Sequence, residues 1–237
     1  MNKILLSLFL FASTLQAGEV YATFTVQAKQ SANLSFSANG VVNHVYVDTG
    51  DTVHKGQTLA TLRSEDIQAA LQIARVGLTY AQKDYDRMQA VREVTDQAKL
   101  DGTQFRVENA KAQLAYKQAL LDKTILKAPF DGTIVARNLE IGDTFTAIRP
   151  VAVYRLQSAH ARKLILSFDQ KYWKVVKPGE TFTYTVDGDP TPRKGVITKI
   201  YPTANLQSRK MQAEVAAEDI PSGLFGEGKI HLPDTHE

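Results

Sequence analysis

Two stretches of this chain, one on either side of a long helical run, carry the same turn chemistry at a constant offset of 92 residues. Gly40 is matched by Gly132, Gly50-Asp51-Thr52 by Gly142-Asp143-Thr144, and Val53 by Phe145. A glycine at such a position supplies a turn with positive φ or a close backbone approach. A fixed spacing across several of them therefore marks an internal duplication. Residues around them follow a period of two, as short half-buried strands require. Each copy is too small for a core of its own, so the two must pack face to face.

Between the copies, Ser64 to Lys123 has a different period. Ile67, Leu71, Ala74, Leu78, Ala81, Tyr85 and Met88 alternate steps of four and three, a heptad seam that keeps one helix face toward a partner. From about Gln97 the same phase returns in Leu100, Val107, Ala110, Leu114 and Leu121, with Thr103 and Lys117 in two seam positions. The seam is lost at Glu93-Val94-Thr95-Asp96, where Thr95 or Asp96 suits a helix cap. Ser64-Glu65-Asp66 opens the first helix with a capping hydroxyl and two acids. Two helices of roughly 28 residues would each reach about 40 Å. Such a hairpin is too long for a compact domain and is expected to project, as an insertion entered at Arg63-Ser64 and left over Thr124 to Pro129.

Elsewhere the pattern is β. Val20 to Val26 reads as a strand able to join either β domain, and Leu34-Ser35-Phe36 as a short one. Beyond Arg162 come Leu164 to Phe168, Thr181 to Val186, Gly195 to Tyr201, Met211 to Ala217 and Lys229 to Leu232. Asp169 to Val176 reads as a turn or two of helix ended by Lys177-Pro178-Gly179. This spacing predicts a small antiparallel barrel.

Composition excludes several classes of function. A net charge of +3 on 237 residues, with acids interspersed among the bases, gives no nucleic-acid footprint. The absence of cysteine removes disulfides, zinc-thiolate sites and a lipid-modified N-terminal cysteine. Phosphate-loop, nucleophile-elbow and zinc-protease motifs are missing, so no enzyme and no cofactor is expected. The glycines at 223, 226 and 228 lack the order of a phosphate cradle. His44, Asp48, Asp51 and His54 have metal-ligand chemistry but lie on an alternating strand and its turn, where surface roles are the plainer reading. Residues 1–17 have the layout of a signal peptide, with Lys3, the apolar run Ile4 to Ala12 and a cut after Ala17. That apolar core is shorter than the roughly 20 residues that span a bilayer, with an uncleaved anchor as the alternative. Export to the periplasm is expected.

The run Gly40 to Leu62, the helical pair, and Leu126-Lys127-Ala128-Pro129-Phe130-Asp131-Gly132-Thr133-Ile134-Val135 together resemble the periplasmic adaptors, or membrane fusion proteins, of tripartite efflux pumps. The resemblance is to a short form of the resistance-nodulation-division type. The resemblance implies a mostly β, elongated multidomain chain. A lipoyl-like (barrel-sandwich hybrid) domain would be interrupted by an antiparallel coiled-coil hairpin and followed by a small antiparallel β-barrel. The expected order is signal peptide 1–17, N-terminal strand and first lipoyl half 18–63, hairpin 64–123, second lipoyl half 124–157, barrel 158–232 and tail 233–237. Ser222-Gly223-Leu224-Phe225-Gly226 stands where the family has a Pro-Gly-Met turn. With five residues left after the barrel, the further membrane-proximal domain of many relatives is not expected.

The function implied is that of an adaptor, associated with the inner membrane through the pump complex. It would bridge an inner-membrane, proton-driven efflux transporter and an outer-membrane channel for export of toxic organic compounds, conferring multidrug resistance. The ring is commonly of six. The alternative is an adaptor of an ATP-driven exporter or of a heavy-metal efflux system. Family hairpin tips dock on the channel through Arg, three residues, Leu, six residues, Ser. That spacing falls on Arg87, Val91 and Ala98, with Glu93, Val94 and Thr95 completing the tip; only Arg87 is an identity. A solvated charge paired with Asp84 is the plainer reading of Arg87. Joints are expected at Arg63-Ser64, Lys127-Ala128 and Gln157-Ser158.

Overall fold

A computed structural model describes residues 18–91, 96–148 and 151–233. In chain order the strands are β1 (Glu19–Ala28), β2 (Ser31–Leu34), β3 (Gly40–Val45), β4 (Thr52–Val53) and β5 (Thr58–Leu62). Helices α1 (Glu65–Ala90) and α2 (Gln97–Asp122) follow. Then come β6 (Ile125–Lys127), β7 (Gly132–Arg137), β8 (Thr144–Phe145), β9 (Tyr154–Ser158) and β10 (Ala161–Asp169). Last are β11 (Thr181–Val186), β12 (Asp189–Ile200), β13 (Lys210–Glu218) and β14 (Phe225–His231). The chain divides into two compact units, residues 30–159 and the remainder on both sides.

In the 30–159 unit the duplication is structural. β3 and β7 begin at Gly40 and Gly132, β4 and β8 at Thr52 and Thr144, preserving the offset of 92. The copies exchange strands: Gly40 pairs with Phe145, and the equivalent Gly132 with the equivalent Val53. Gly50 and Gly142 have φ of 97° and 96°, the left-handed region where a side chain is disfavoured. The Gly50 N–H donates to the Ile134 carbonyl at 2.8 Å, and the Gly142 N–H to the Val42 carbonyl at 3.0 Å. Each turn is thus satisfied by the other copy, and Val42 and Ile134 lie fully buried in the shared core. Two four-stranded sheets result, ordered β2-β9-β7-β4 and β6-β5-β3-β8.

The two helices, 26 residues each, bear out the heptad reading. All seven seam residues of α1 are at least partly buried, Leu71 most of all. On α2 the seam is complete through its polar members. Thr103 is 1% exposed and its hydroxyl donates to the Leu100 carbonyl at 2.7 Å, which satisfies it within its own helix. Lys117 is half-buried there, its aliphatic stem being what a seam needs. Asp96 caps α2, accepting from the Ala98 N–H at 3.1 Å. Ser64 occupies the N-cap of α1 without capping: its hydroxyl accepts instead from Gln68 Nε2 at 2.9 Å. No helix among the described residues is long and apolar enough to cross a membrane.

The second unit is a closed barrel, ordered β1-β10-β13-β12-β11-β14. β1, which the sequence left able to join either β domain although it precedes the first lipoyl half, belongs to the barrel: Phe24 pairs with Leu166 of β10 and with Gly226 of β14. Its alternation was visible in the sequence, but the partner of a strand is a long-range fact that alternation does not encode. β12 begins six residues earlier than its apolar pattern, because Pro190 and Pro192 mask its first half. β14 begins at Phe225, so the turn expected over Ser222 to Gly226 is shorter, with Gly223 at φ 93°. Gly226 and Gly228 lie within that strand against the rings of Phe24 and Phe182. The helix expected over Asp169 to Val176 is a single 3-10 turn at Gln170–Tyr172, capped by Asp169.

Candidate functional site

The hairpin tip is the candidate docking site. Arg87 lies in the last turn of α1, exposed, its guanidinium ion-paired with Asp84 and its Nε donating to the Lys83 carbonyl at 3.3 Å. Val91 follows one helical turn later as the C-cap residue and is 47% exposed. Ala98 is exposed in the first turn of α2. Glu93, Val94 and Thr95 lie outside the described residues. The ion pair to Asp84 holds Arg87 along its own helix, and it is exposed enough to be exchanged for another acceptor at little cost.

The base of the hairpin is where the motif residues converge. The Lys55 N–H donates to Asp131 Oδ1 at 2.7 Å, across 76 residues of chain. The Gly56 N–H donates to the Ala128 carbonyl at 2.8 Å, and the Ala128 N–H to the Gln57 carbonyl at 3.0 Å. Lys55-Gly56-Gln57 and Ala128-Pro129-Phe130-Asp131-Gly132 are therefore a clasp between the copies, close to where the helices leave and return. The Leu62 N–H donates to the Thr124 carbonyl at 2.9 Å, and the Arg63 N–H to that of Val41 at 2.8 Å. Lys127 of β6 pairs with Thr58 of β5, and Ala128 is buried. Ser158 is buried in β9, its N–H donating to the Gln30 carbonyl at 3.0 Å, while Gln157 pairs with Ser31 and Thr133.

Arg137 is a residue that the motifs did not single out. Asp48 and Glu140 are equivalent under the repeat, and Arg137 binds both, with Nε 2.9 Å from Asp48 Oδ1 and Nη2 3.1 Å from Glu140 Oε1. Its own equivalent is Val45, and that departure from the duplication was the available signal. The backbone N–H of Thr49 first, and Arg137 second, hold the Asp48 carboxyl below its ordinary range. Behind this clasp, the fully buried Tyr154 donates its hydroxyl to the carbonyls of Val47 at 3.1 Å and Leu59 at 3.3 Å. Burial pushes it up to about 12.

The candidate metal ligands go separate ways. His44 stacks on Tyr46, Asp48 takes Arg137, Asp51 closes its own turn through the Asp48 N–H, and His54 lies 3.7 Å from Asp131.

A strand-exchanged, duplicated β domain interrupted by a helical hairpin and accompanied by a six-stranded barrel defines a barrel-sandwich hybrid architecture. The chain belongs to the membrane fusion, or periplasmic adaptor, family: residues 30–154 match the CzcB-like, barrel-sandwich hybrid domain. It is 28% identical to the macrolide export protein MacA of Yersinia pestis over 78% of this chain, and 25% identical to an uncharacterized protein of Haemophilus influenzae over 90%. It spans 58% of the length of each of these curated relatives. The crystal structure of a MacA-MexA chimeric protein, containing the Pseudomonas aeruginosa MexA α-hairpin, shares the fold with a TM-score of 0.84. That match has 19% identity and covers 92% of this chain and 83% of the other.

Proposed function

We propose that the chain is an adaptor subunit of a tripartite efflux pump in the periplasm, bridging an inner-membrane transporter and an outer-membrane channel. The observation that carries this reading is the hairpin itself. Two seamed helices of about 40 Å are inserted into a β domain whose copies are cross-tied beside the insertion point. That arrangement makes a stiff strut on an anchored base, which is what bridging requires and what an enzyme would not need.

The tip residues Arg87, Val91 and Ala98, with Glu93 to Thr95 between the helices, are the part that meets the channel. Ala98 supplies no hydroxyl, so the contact rests on Arg87 and an apolar Val91. Outside the seam, Ile73, Val76 and Tyr80 lie exposed along one face of α1, and Phe105 and Tyr116 are exposed on α2. Side-by-side packing of copies would cover these residues, in keeping with a homo-oligomeric ring, expected to be of six. Bending between parts of the ring subunit is assigned to Arg63-Ser64, Lys127-Ala128 and Gln157-Ser158.

The transporter is taken to be proton-driven and the cargo to be toxic organic compounds; a relative named for macrolide export supports an organic cargo. A second reading, an ATP-driven exporter, is compatible with the same name. Affinity isolation of the tagged chain from cross-linked membranes separates them: the transporter recovered is either a proton-coupled or a nucleotide-binding one. Recovery with neither kind of transporter and no channel overturns the proposal.

A further inference from the structure

The end of the barrel at which β1 begins and β14 finishes carries exposed apolar residues ringed by cations. Two segments cap this end, residues 170–179 between β10 and β11 and residues 201–209 between β12 and β13. The Gln170 N–H ties them together by donating to the Arg209 carbonyl at 3.3 Å. Tyr172 and Val176 pack into the barrel core and pin the first segment. The same pinning turns Trp173 and Val175 outward, 59% and 44% exposed, and Leu206 on the second segment is 95% exposed.

Five exposed cations surround these apolar tips: Lys171, Lys174, Lys177, Arg209 and Lys210. Residues 170–179 and 201–210 contain no acid. The neighbouring acids are already engaged. Asp169 caps the 3-10 turn, Glu19 is paired with Lys229, and Glu180 is buried, drawing on the charge of Lys177. Among the described residues none of the five cations forms an ion pair. Lys174 Nζ sits 5.4 Å from the Trp173 ring centre and Lys171 Nζ 4.9 Å from that of Tyr172.

We propose that this end of the barrel docks directly on a phospholipid bilayer bearing anionic headgroups. Trp173 and Leu206 enter the interfacial layer, and the lysines and arginine meet the phosphates. Tryptophan and tyrosine favour that layer because one end of the ring system is apolar and the other accepts water. Each cation near an anionic surface strengthens binding about fivefold. Charge complementarity selects lipid over a protein groove: five cations held in no ion pair, only Lys177 being near a carboxylate, match a laterally mobile anionic surface better than one set of carboxylates. Glu19, the first residue of β1, lies at the same barrel end, and in sequence it follows closely after the apolar run Ile4 to Ala12.

Trp173 is the only tryptophan in the chain, so its fluorescence reports this contact without a label. The full chain is titrated with protein-free vesicles of phosphatidylcholine, alone or with about one-third phosphatidylglycerol. A variant carrying Lys171→Glu, Lys174→Glu and Lys177→Glu is compared in the same chain, so any affinity of the Ile4 to Ala12 run is common to both. The expected result is a blue shift and co-sedimentation with phosphatidylglycerol vesicles, suppressed by salt and weakened by more than about 100-fold in the triple variant, since each Lys→Glu both removes a cation and adds an anion. Circular dichroism checks that the variant is folded, which its exposed positions favour. Equal binding by both proteins, equal binding to neutral and anionic vesicles, or no shift and no co-sedimentation with either vesicle overturns the proposal. Because the vesicles hold no transporter or channel, the outcome is independent of the bridging function.

Discussion

Arg137 and Asp48 meet at 2.9 Å across 89 residues of chain, joining the second copy of the β duplication to the first. The same guanidinium reaches Glu140, the repeat equivalent of Asp48, so one asymmetric residue holds both symmetric turns. The folded state holds the Asp48 carboxyl below its ordinary value of 3.8, so this group favours folding above that pH. The contribution is lost as pH falls through the depressed value. Wild type should therefore melt above Asp48→Asn at neutral pH, and the gap should close only below pH 3.8. Thermal melts across a pH series check this; a gap independent of pH would show that the charge is irrelevant.

Two glycines of the duplication should respond differently to alanine. Gly50 has positive φ and open space around it, so Gly50→Ala costs only backbone strain, about 1 kcal/mol. At Gly132 a Cβ would lie 2.2 Å from the Gln157 carbonyl oxygen, so β7 and β9 must separate. Gly132→Ala should cost about 3 kcal/mol or fail to fold. Urea denaturation of the two variants gives the order.

Glu180 faces the barrel interior, 8% exposed, and neither carboxylate oxygen receives a hydrogen bond of ordinary geometry. Burial raises its pKa, offset in part by the backbone N–H and charge of Lys177. A raised carboxyl favours folding while protonated and loses that benefit as pH rises through the folded value, so its ionisation destabilises the barrel at neutral pH. Glu180→Gln should raise the melting temperature at neutral pH by about 2–4 °C, on the scale of about 1 kcal/mol. The gain should shrink toward pH 4.5, the ordinary value for the group. A melting temperature unchanged at neutral pH would contradict this.

Thr103 occupies a seam position with its hydroxyl turned back to its own helix. Valine removes that back-bond and adds an apolar contact to the seam, so Thr103→Val should stabilise the hairpin by about 0.5–1 kcal/mol. Slower amide exchange along α1 and α2 would report it; faster exchange would mean that the hydroxyl bond holds the helix straight.

What could be read from the sequence were the features with a local period. The seam from Ile67 to Met88, the cap at Asp96 and the offset linking Gly50 to Gly142 all repeat within a few residues or copy one another. What could not be read depends on distant partners. β1 shows its alternation but not its neighbours, Pro190 and Pro192 conceal the first half of β12, and Glu180 breaks an inward apolar pattern that its burial keeps. For the proposed docking tip the sequence offered a single identity, Arg87, because a contact surface needs no period of its own. Trp173 and its lysines read as an ordinary short helix until the pinning of Tyr172 and Val176 turned them outward.

The bridging account is tested most directly by a photo-crosslinking residue at Val91, in cells expressing the chain at native level. The expected product is an adduct with an outer-membrane channel protein, lost when Arg87→Asp is added, while a crosslinker at Phe225 on the barrel gives no channel adduct. Adducts from Val91 to inner-membrane proteins alone, or none at all beside normal export, would contradict the assignment of the hairpin as the arm that reaches the outer membrane.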